Sequence, residues 1–285
     1  MTQNQNKAKT DAAWNRLYGR LETDGLLSTT NERKRATLIR PVFYRWAAAI
    51  AVICISAASL FLLAKSDKID KENFLTLQNK KGAVTLVTTL EDGSIVYLAD
   101  NTKLDYPIHF EKKTREVFLK GNALFDVTGN KERPFLIETK DILVEVLGTS
   151  FYIKDETGTA FELAVKRGRV KVIRKKNGQQ KLVIAGETVR LLSDKLTVSQ
   201  TENNTLFDHY TNKIQFKDET LGNILRVINR TSDGLKLEAI PELNNRPLTF
   251  TFSSNSPENV AQLICLALDL TYTKKDGILL ISEMN

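Results

Sequence analysis

The sequence predicts a single-pass membrane protein with a short helical inner segment, one transmembrane helix, an all-β outer domain and a C-terminal α+β domain. Three observations carry this fold class. Residues 46–64 form an uncharged run of nineteen residues, residues 74–203 are short β-branched and aromatic runs punctuated by glycine, and residues 213–282 repeat strand and helix twice.

The apolar run divides the chain. RWAAAIAVICISAASLFLLAK at 45–65 is closed at each end by a cation. Nineteen residues of helix at about 1.5 Å each give roughly 28 Å, close to the hydrocarbon core of a bilayer. A secretory signal has a short leader and a shorter apolar stretch, whereas here forty-five hydrophilic residues precede the run. Arg33, Lys34, Arg35, Arg40 and Arg45 stand before it, while Lys65, Lys68 and Lys71 alternate with Asp67, Asp70 and Glu72 after it. That asymmetry predicts an inner N-terminus and an outer C-terminus.

The charge balance follows the same division. The chain is +7 overall, but residues 1–45 hold nine Lys and Arg against four Asp and Glu. The remaining residues are nearly neutral, so the basic excess reads as topology and not as nucleic-acid affinity. The cluster KRGRVKVIRKK at 166–176 reads as a solvated hairpin edge guarded by Lys and Arg, since no aromatic residue interrupts it for base stacking.

Residues 1–45 form the inner segment. In TDAAWNRLYGRLETDG, Trp14, Leu17, Tyr18 and Leu21 fall at i, i+3, i+4 and i+7, one apolar face of a helix ending near Asp24-Gly25. So short a segment cannot bury that face within itself, so the face either lies on the membrane or docks in a groove of a cytosolic partner, and the flanking Glu22 and Asp24 favour the partner over an anionic lipid surface. Residues 65–73, KSDKIDKEN, lack helical or strand periodicity and read as a linker.

From 74 to 203 the strands recur every 8–12 residues or so, which predicts a sandwich, barrel or short-rung solenoid. Gly148, Gly158, Gly168, Gly178 and Gly186 punctuate the second half and read as turn residues. Residues 207–285 change rhythm. Leu221, Ile224, Leu225 and Ile228 keep helical spacing, as do Val260, Leu263, Ile264, Ala267 and Leu268. Ser256 followed by Pro257 is an N-cap followed by proline in the first turn. A shift of 36 residues brings Phe216 onto Phe252, Asn223 onto Asn259, Ile224 onto Val260 and Ile228 onto Ile264. Two βαβ units with helices covering one sheet face are the expected result.

Catalytic chemistry is not legible. Cys54 falls in the apolar run and Cys265 on a helix face, so no disulfide framework is expected. His109 and His209 have no partner at ligand spacing, so no metal site is expected, and no phosphate or dinucleotide fingerprint predicts a cofactor. The expectation is a protein that is not an enzyme.

The stretch LKGNALFDV…RPFLIETKDILVEVLGTSFYIK…ELAVKRGRVKVI…VIAGE resembles the periplasmic region of FecR-type transmembrane anti-sigma regulators. Gly121, Phe125, Val127, Pro134, Phe135, Val144, Val146, Gly148, Thr149, Phe151, Gly168, Val170, Gly186 and Glu187 carry the match. The C-terminal double βαβ is similar to the short N-terminal domain of secretins and TonB-dependent transporters, which Bacteroidetes-type FecR proteins carry at their C-terminus.

The resemblance implies a bacterial inner-membrane regulator, N-terminus cytoplasmic and C-terminus periplasmic. It would hold an extracytoplasmic-function sigma factor, here on Trp14, Leu17, Tyr18 and Leu21, and respond to the signalling domain of an outer-membrane TonB-dependent transporter. The output would be a change of oligomeric state or cleavage by a protease, an intramembrane protease included. The signal is expected to enter through an open sheet edge in 207–285. The rival reading is a structural periplasmic adaptor anchored in the inner membrane, which has no need of a four-residue apolar stripe inside.

Overall fold

The computed structural model describes residues 3–25, 74–202, 206–232, 234–253 and 256–284. The chain divides into two units, Met1–Lys68 and Ile69–Asn285. In the first, a helix α1 spans Gln3–Thr23. It ends as its sequence prescribes: the Asp24 amide donates to the Arg20 carbonyl at 2.9 Å and Gly25 takes a positive φ of 66°.

The single-pass fold class has to be corrected. Among the described residues no helix is long and apolar enough to cross a membrane. The long helix α1 carries Asp11, Asn15, Arg16, Arg20 and Glu22, side chains too costly to place in hydrocarbon. The apolar run 46–64 itself lies outside the described residues.

The second unit is mostly β-structure. It opens with β1 (Phe74–Gln78), β2 (Thr85–Thr89), β3 (Ile95–Leu98), β4 (Lys103–Pro107) and the twelve-residue β5 (Arg115–Asp126). Then come β6 (Phe135–Glu138), β7 (Ile142–Val146), β8 (Ser150–Asp155), β9 (Glu162–Arg167), β10 (Arg169–Arg174), β11 (Gln180–Ile184), β12 (Glu187–Leu192) and β13 (Lys195–Gln200). The C-terminal part adds β14 (Lys213–Thr220), α2 (Leu221–Thr231), β15 (Lys236–Ala239), β16 (Pro247–Ser253), α3 (Pro257–Leu268), β17 (Leu270–Lys275) and β18 (Ile278–Glu283).

Two sheets share β5 and wrap into a nearly closed barrel. One runs β1-β4-β5-β6-β7-β10-β11, the other β13-β12-β9-β8-β5-β3-β2-β14-β16. The first half of β5 pairs with β4 and β6, the second half with β3 and β8. Gly121 sits at the crossover with φ 111°, and a Cβ there would lie 2.6 Å from Thr102 Oγ1. A strand that changes sheets must bend, and the absence of a side chain allows it. Gly121→Ala is therefore expected to destabilise the unit by about 2–4 kcal/mol, through overlap and positive φ together, as read from the urea midpoint. A loss below about 1 kcal/mol would show that Thr102 yields freely.

The second sheet is apolar on both faces. Along β3, Val96 and Leu98 enter the core between the sheets while Ile95 and Tyr97 enter a second core outside them. The same alternation divides Phe151 and Ile153 from Tyr152 on β8, and Leu163 and Val165 from Ala164 on β9. The outer core is completed by α2, α3 and the C-terminal strands.

This overturns the expectation of a separate sheet built from two βαβ units. The strands of the repeat part company: β14 pairs with β2 in parallel and with β16, extending the second sheet, while β15, β18 and β17 form a small sheet of their own. The edge of β2 offers open backbone groups, and Ile214 and Phe216 alternate correctly to pack beside it. The repeat itself is present in the packing. Phe216 stacks on Phe252 at 6.3 Å, and the caps Thr220 and Ser256 each accept from the amide three residues on, Asn223 and Asn259.

Candidate functional site

The residues singled out for partner binding sit together on α1. At 3.6 residues per turn, positions 14, 17, 18 and 21 share one face. Trp14 is 54% exposed, Leu17 47% and Tyr18 57%, with Leu21 half-buried. The Trp14 and Tyr18 rings lie 6.3 Å apart, tilted at 43°. Arg16, Arg20, Glu22 and Asp24 surround this stripe on exposed positions. Two large aromatics and a leucine held in water on one helix face are a surface for burial, not for proton or group transfer.

The second unit holds a different feature, an open groove of about 910 Å³ between the β2–β3 turn and the C-terminal part. Glu91, Asp92 and Gly93 line one wall, Arg226, Asn229 and Arg230 of α2 another, and all of β15 the third. The Phe110 amide and His109 hold the Glu91 carboxyl below the usual carboxylate range. On the opposite wall Asn229 clips the outer edge of β15: its Nδ2 donates to the Leu237 carbonyl and its Oδ1 accepts from the Leu237 amide, both at 2.8 Å. These walls come from residues 91–93, 128 and 222–244, and no local pattern in the sequence foretells their meeting.

Beneath the groove lies a buried ion pair. Arg115, 1% exposed, donates from Nη1 to Asp92 Oδ2 at 2.7 Å and to the Thr128 carbonyl at 2.9 Å. Its Nε donates to the Arg133 carbonyl, and its guanidinium lies 5.4 Å over the Phe135 ring. Asp92 also accepts from the Ser94 amide and hydroxyl, which fixes the turn.

The basic run 166–176 is not an edge. β10 lies between β7 and β11, and the charges of the run 166–176 other than Arg169 are engaged: Arg167 with Asp126, Lys171 with Glu145, Arg174 with Asp141 and Asp194, Lys175 with Glu138, Lys176 with Asp194. Lys166 sits 5.5 Å over the Phe207 ring. Charges already paired leave little for a polyanion. His109 meets Glu91 and His209 packs edge-on against Tyr210; among the described residues no cluster of three or more His, Cys, Asp or Glu side chains could hold a metal ion.

The motif residues of the central region prove to be packing devices. Phe125 stacks on Phe151 at 5.5 Å and meets Phe135 edge-on at 6.4 Å, all three fully buried. A Cβ at Gly148 would lie 2.5 Å from Gly129 Cα, and one at Gly168 would lie 3.0 Å from Thr149 Oγ1. Thr149 in turn donates to the Arg169 carbonyl at 3.0 Å.

Residues 80–171 match the family model of the FecR protein. Two crystal structures of a provisionally assigned anti-sigma factor from Parabacteroides distasonis ATCC 8503, at 1.65 and 2.50 Å resolution, are similar to the chain at 19% identity and a TM-score of 0.46. Each likeness covers 74% of this chain and 100% of the other. Among curated proteins no sequence matches.

Proposed function

We propose that the chain is an anti-sigma regulator of the FecR type, a reading supported by the match of residues 80–171 to the FecR protein family model. In this reading α1 holds an extracytoplasmic-function sigma factor, and the second unit receives the signal of an outer-membrane TonB-dependent transporter. Localisation at the bacterial inner membrane belongs to the same reading, with the sigma factor on the cytoplasmic side and the transporter's signalling domain on the periplasmic side.

The observation that carries the proposal is the exposed stripe of Trp14, Leu17 and Tyr18. An amphipathic helix with such a face binds by laying it into an apolar groove of its partner. A structural adaptor would leave that face without an occupant. Trp14→Ala is expected to weaken sigma binding by about 2 kcal/mol or more, as for a central aromatic anchor. The measurement is titration calorimetry of the sigma factor against the wild-type chain and the Trp14→Ala, Leu17→Ala pair. Unchanged affinity in that pair would remove α1 as the contact.

A further inference from the structure

We propose that β16 is a self-association edge, through which two copies of this chain join in antiparallel register. Among the described residues six strands end a sheet: β1 and β11, β13 and β16, β15 and β17. Natural edges are blunted against stray pairing by charge, covering or distortion. β11 carries Lys181, β13 carries Lys195, and β17 carries Lys274 and Lys275. β15 carries Lys236 and Glu238 and is clipped by Asn229. β1 is uncharged, but it is five residues long, and its end residues Phe74 and Gln78 would not match across a two-fold axis.

β16 is guarded only from outside the strand, by Arg246 directly before it. Its seven residues, PLTFTFS, are uncharged, and among the described residues it is bonded on one side only, to β14. The β-bulge between Phe216 and Glu219 lies in β14, away from the open side. Pro247, at the first position, is the one residue that cannot donate, which leaves the rest of the edge competent to pair.

The pattern of β16 also says which partner fits. About Phe250, the flanking positions are Thr249 and Thr251, the next are Leu248 and Phe252, and the outermost are Pro247 and Ser253. A two-fold axis through Phe250 would therefore set threonine against threonine on the exposed face and apolar against apolar on the core face. Cross-strand threonine pairs and apolar pairs are both favourable, and no like charges meet. Phe250 is half-buried although it packs on the outer core, so its copy would cover what remains open. A symmetric contact of this kind closes on itself as a dimer and does not propagate.

Analytical ultracentrifugation of the full chain tests this. The wild type should show a concentration-dependent dimer. Thr249→Lys with Thr251→Lys, which sets lysine against lysine across the axis, should raise the dimer dissociation constant at least about tenfold. Thr249→Lys with Thr251→Glu sets lysine against glutamate and should restore association. Both variants lose the same two Thr249–Asp218 hydrogen bonds, one donated to the Asp218 carboxylate and one accepted from its amide, so that loss cancels between them. A Thr249→Cys, Thr251→Cys chain should cross-link between copies under mild oxidation, with the wild type as control. A wild-type chain that stays monomeric at about 100 μM would overturn the proposal, as would equal association in all the charge variants or no cross-link specific to the cysteine pair.

Discussion

Deleting residues 207–285 is expected to yield a chain that aggregates, not an intact protein that has merely lost its input. The sequence alone suggests a detachable C-terminal domain, but the outer core is shared. Val87, Ile95, Tyr97, Leu124 and Tyr152 of the central strands are each at most 4% exposed, and their cover is α2, α3 and the C-terminal strands. Exposing five such side chains forfeits roughly 10 kcal/mol, comparable to the whole stability of an ordinary domain. The deletion also removes the Asp126–Arg230 ion pair and the Glu219 carboxylate that accepts from the Thr89 amide. Soluble yield and near-ultraviolet circular dichroism would report the outcome. A soluble, natively packed truncation would show that the inner core alone sustains the fold. Any attempt to locate the signal input should therefore use point variants in 207–285.

The second large effect is expected at the buried ion pair. Asp92→Ala would strand the Arg115 guanidinium in a site 1% open to solvent, at an expected loss of about 3–5 kcal/mol in urea unfolding. Replacing both partners, Asp92→Leu with Arg115→Met, should cost less than the single change, because it leaves no uncompensated charge. If Asp92→Ala loses under about 1 kcal/mol, water or another acceptor satisfies Arg115, and the pair is not what holds the β2–β3 turn to β5.

How much of this was legible in the sequence depends on the range over which the signal acts. Caps and helical stripes are local, so Ser256-Pro257 and the Leu221–Ile228 periodicity marked their helices directly. The 36-residue repeat was legible too, and its two phenylalanines meet face to face. Pairing partners were not legible, because strand periodicity tells which face is apolar but not which edge meets which. Hence the run 166–176, rich in Lys and Arg, reads as an edge yet lies inside a sheet, with cations such as Lys175 and Lys176 matched by carboxylates as distant in sequence as Glu138 and Asp194. The stripe on α1 was legible as a pattern; its occupant is a matter for binding experiments. The groove and the Arg115–Asp92 pair had no local signature, since each assembles residues from separate strands and turns.

The parallel pairing of β14 with β2 has a consequence for how this chain is made. Thr89 and Glu219 are 130 residues apart, so the edge of β2 stays unpaired until more than two thirds of the chain has been synthesised. Contacts of such long sequence separation form late and slowly, and the nascent chain carries an apolar, open-edged sheet in the interval. Ribosome pausing between codons 90 and 220 should prolong that exposure, and a holding chaperone that engages extended apolar strands would find its substrate there. A variant slowed in translation over this window would lose yield without any change in the stability of the finished protein.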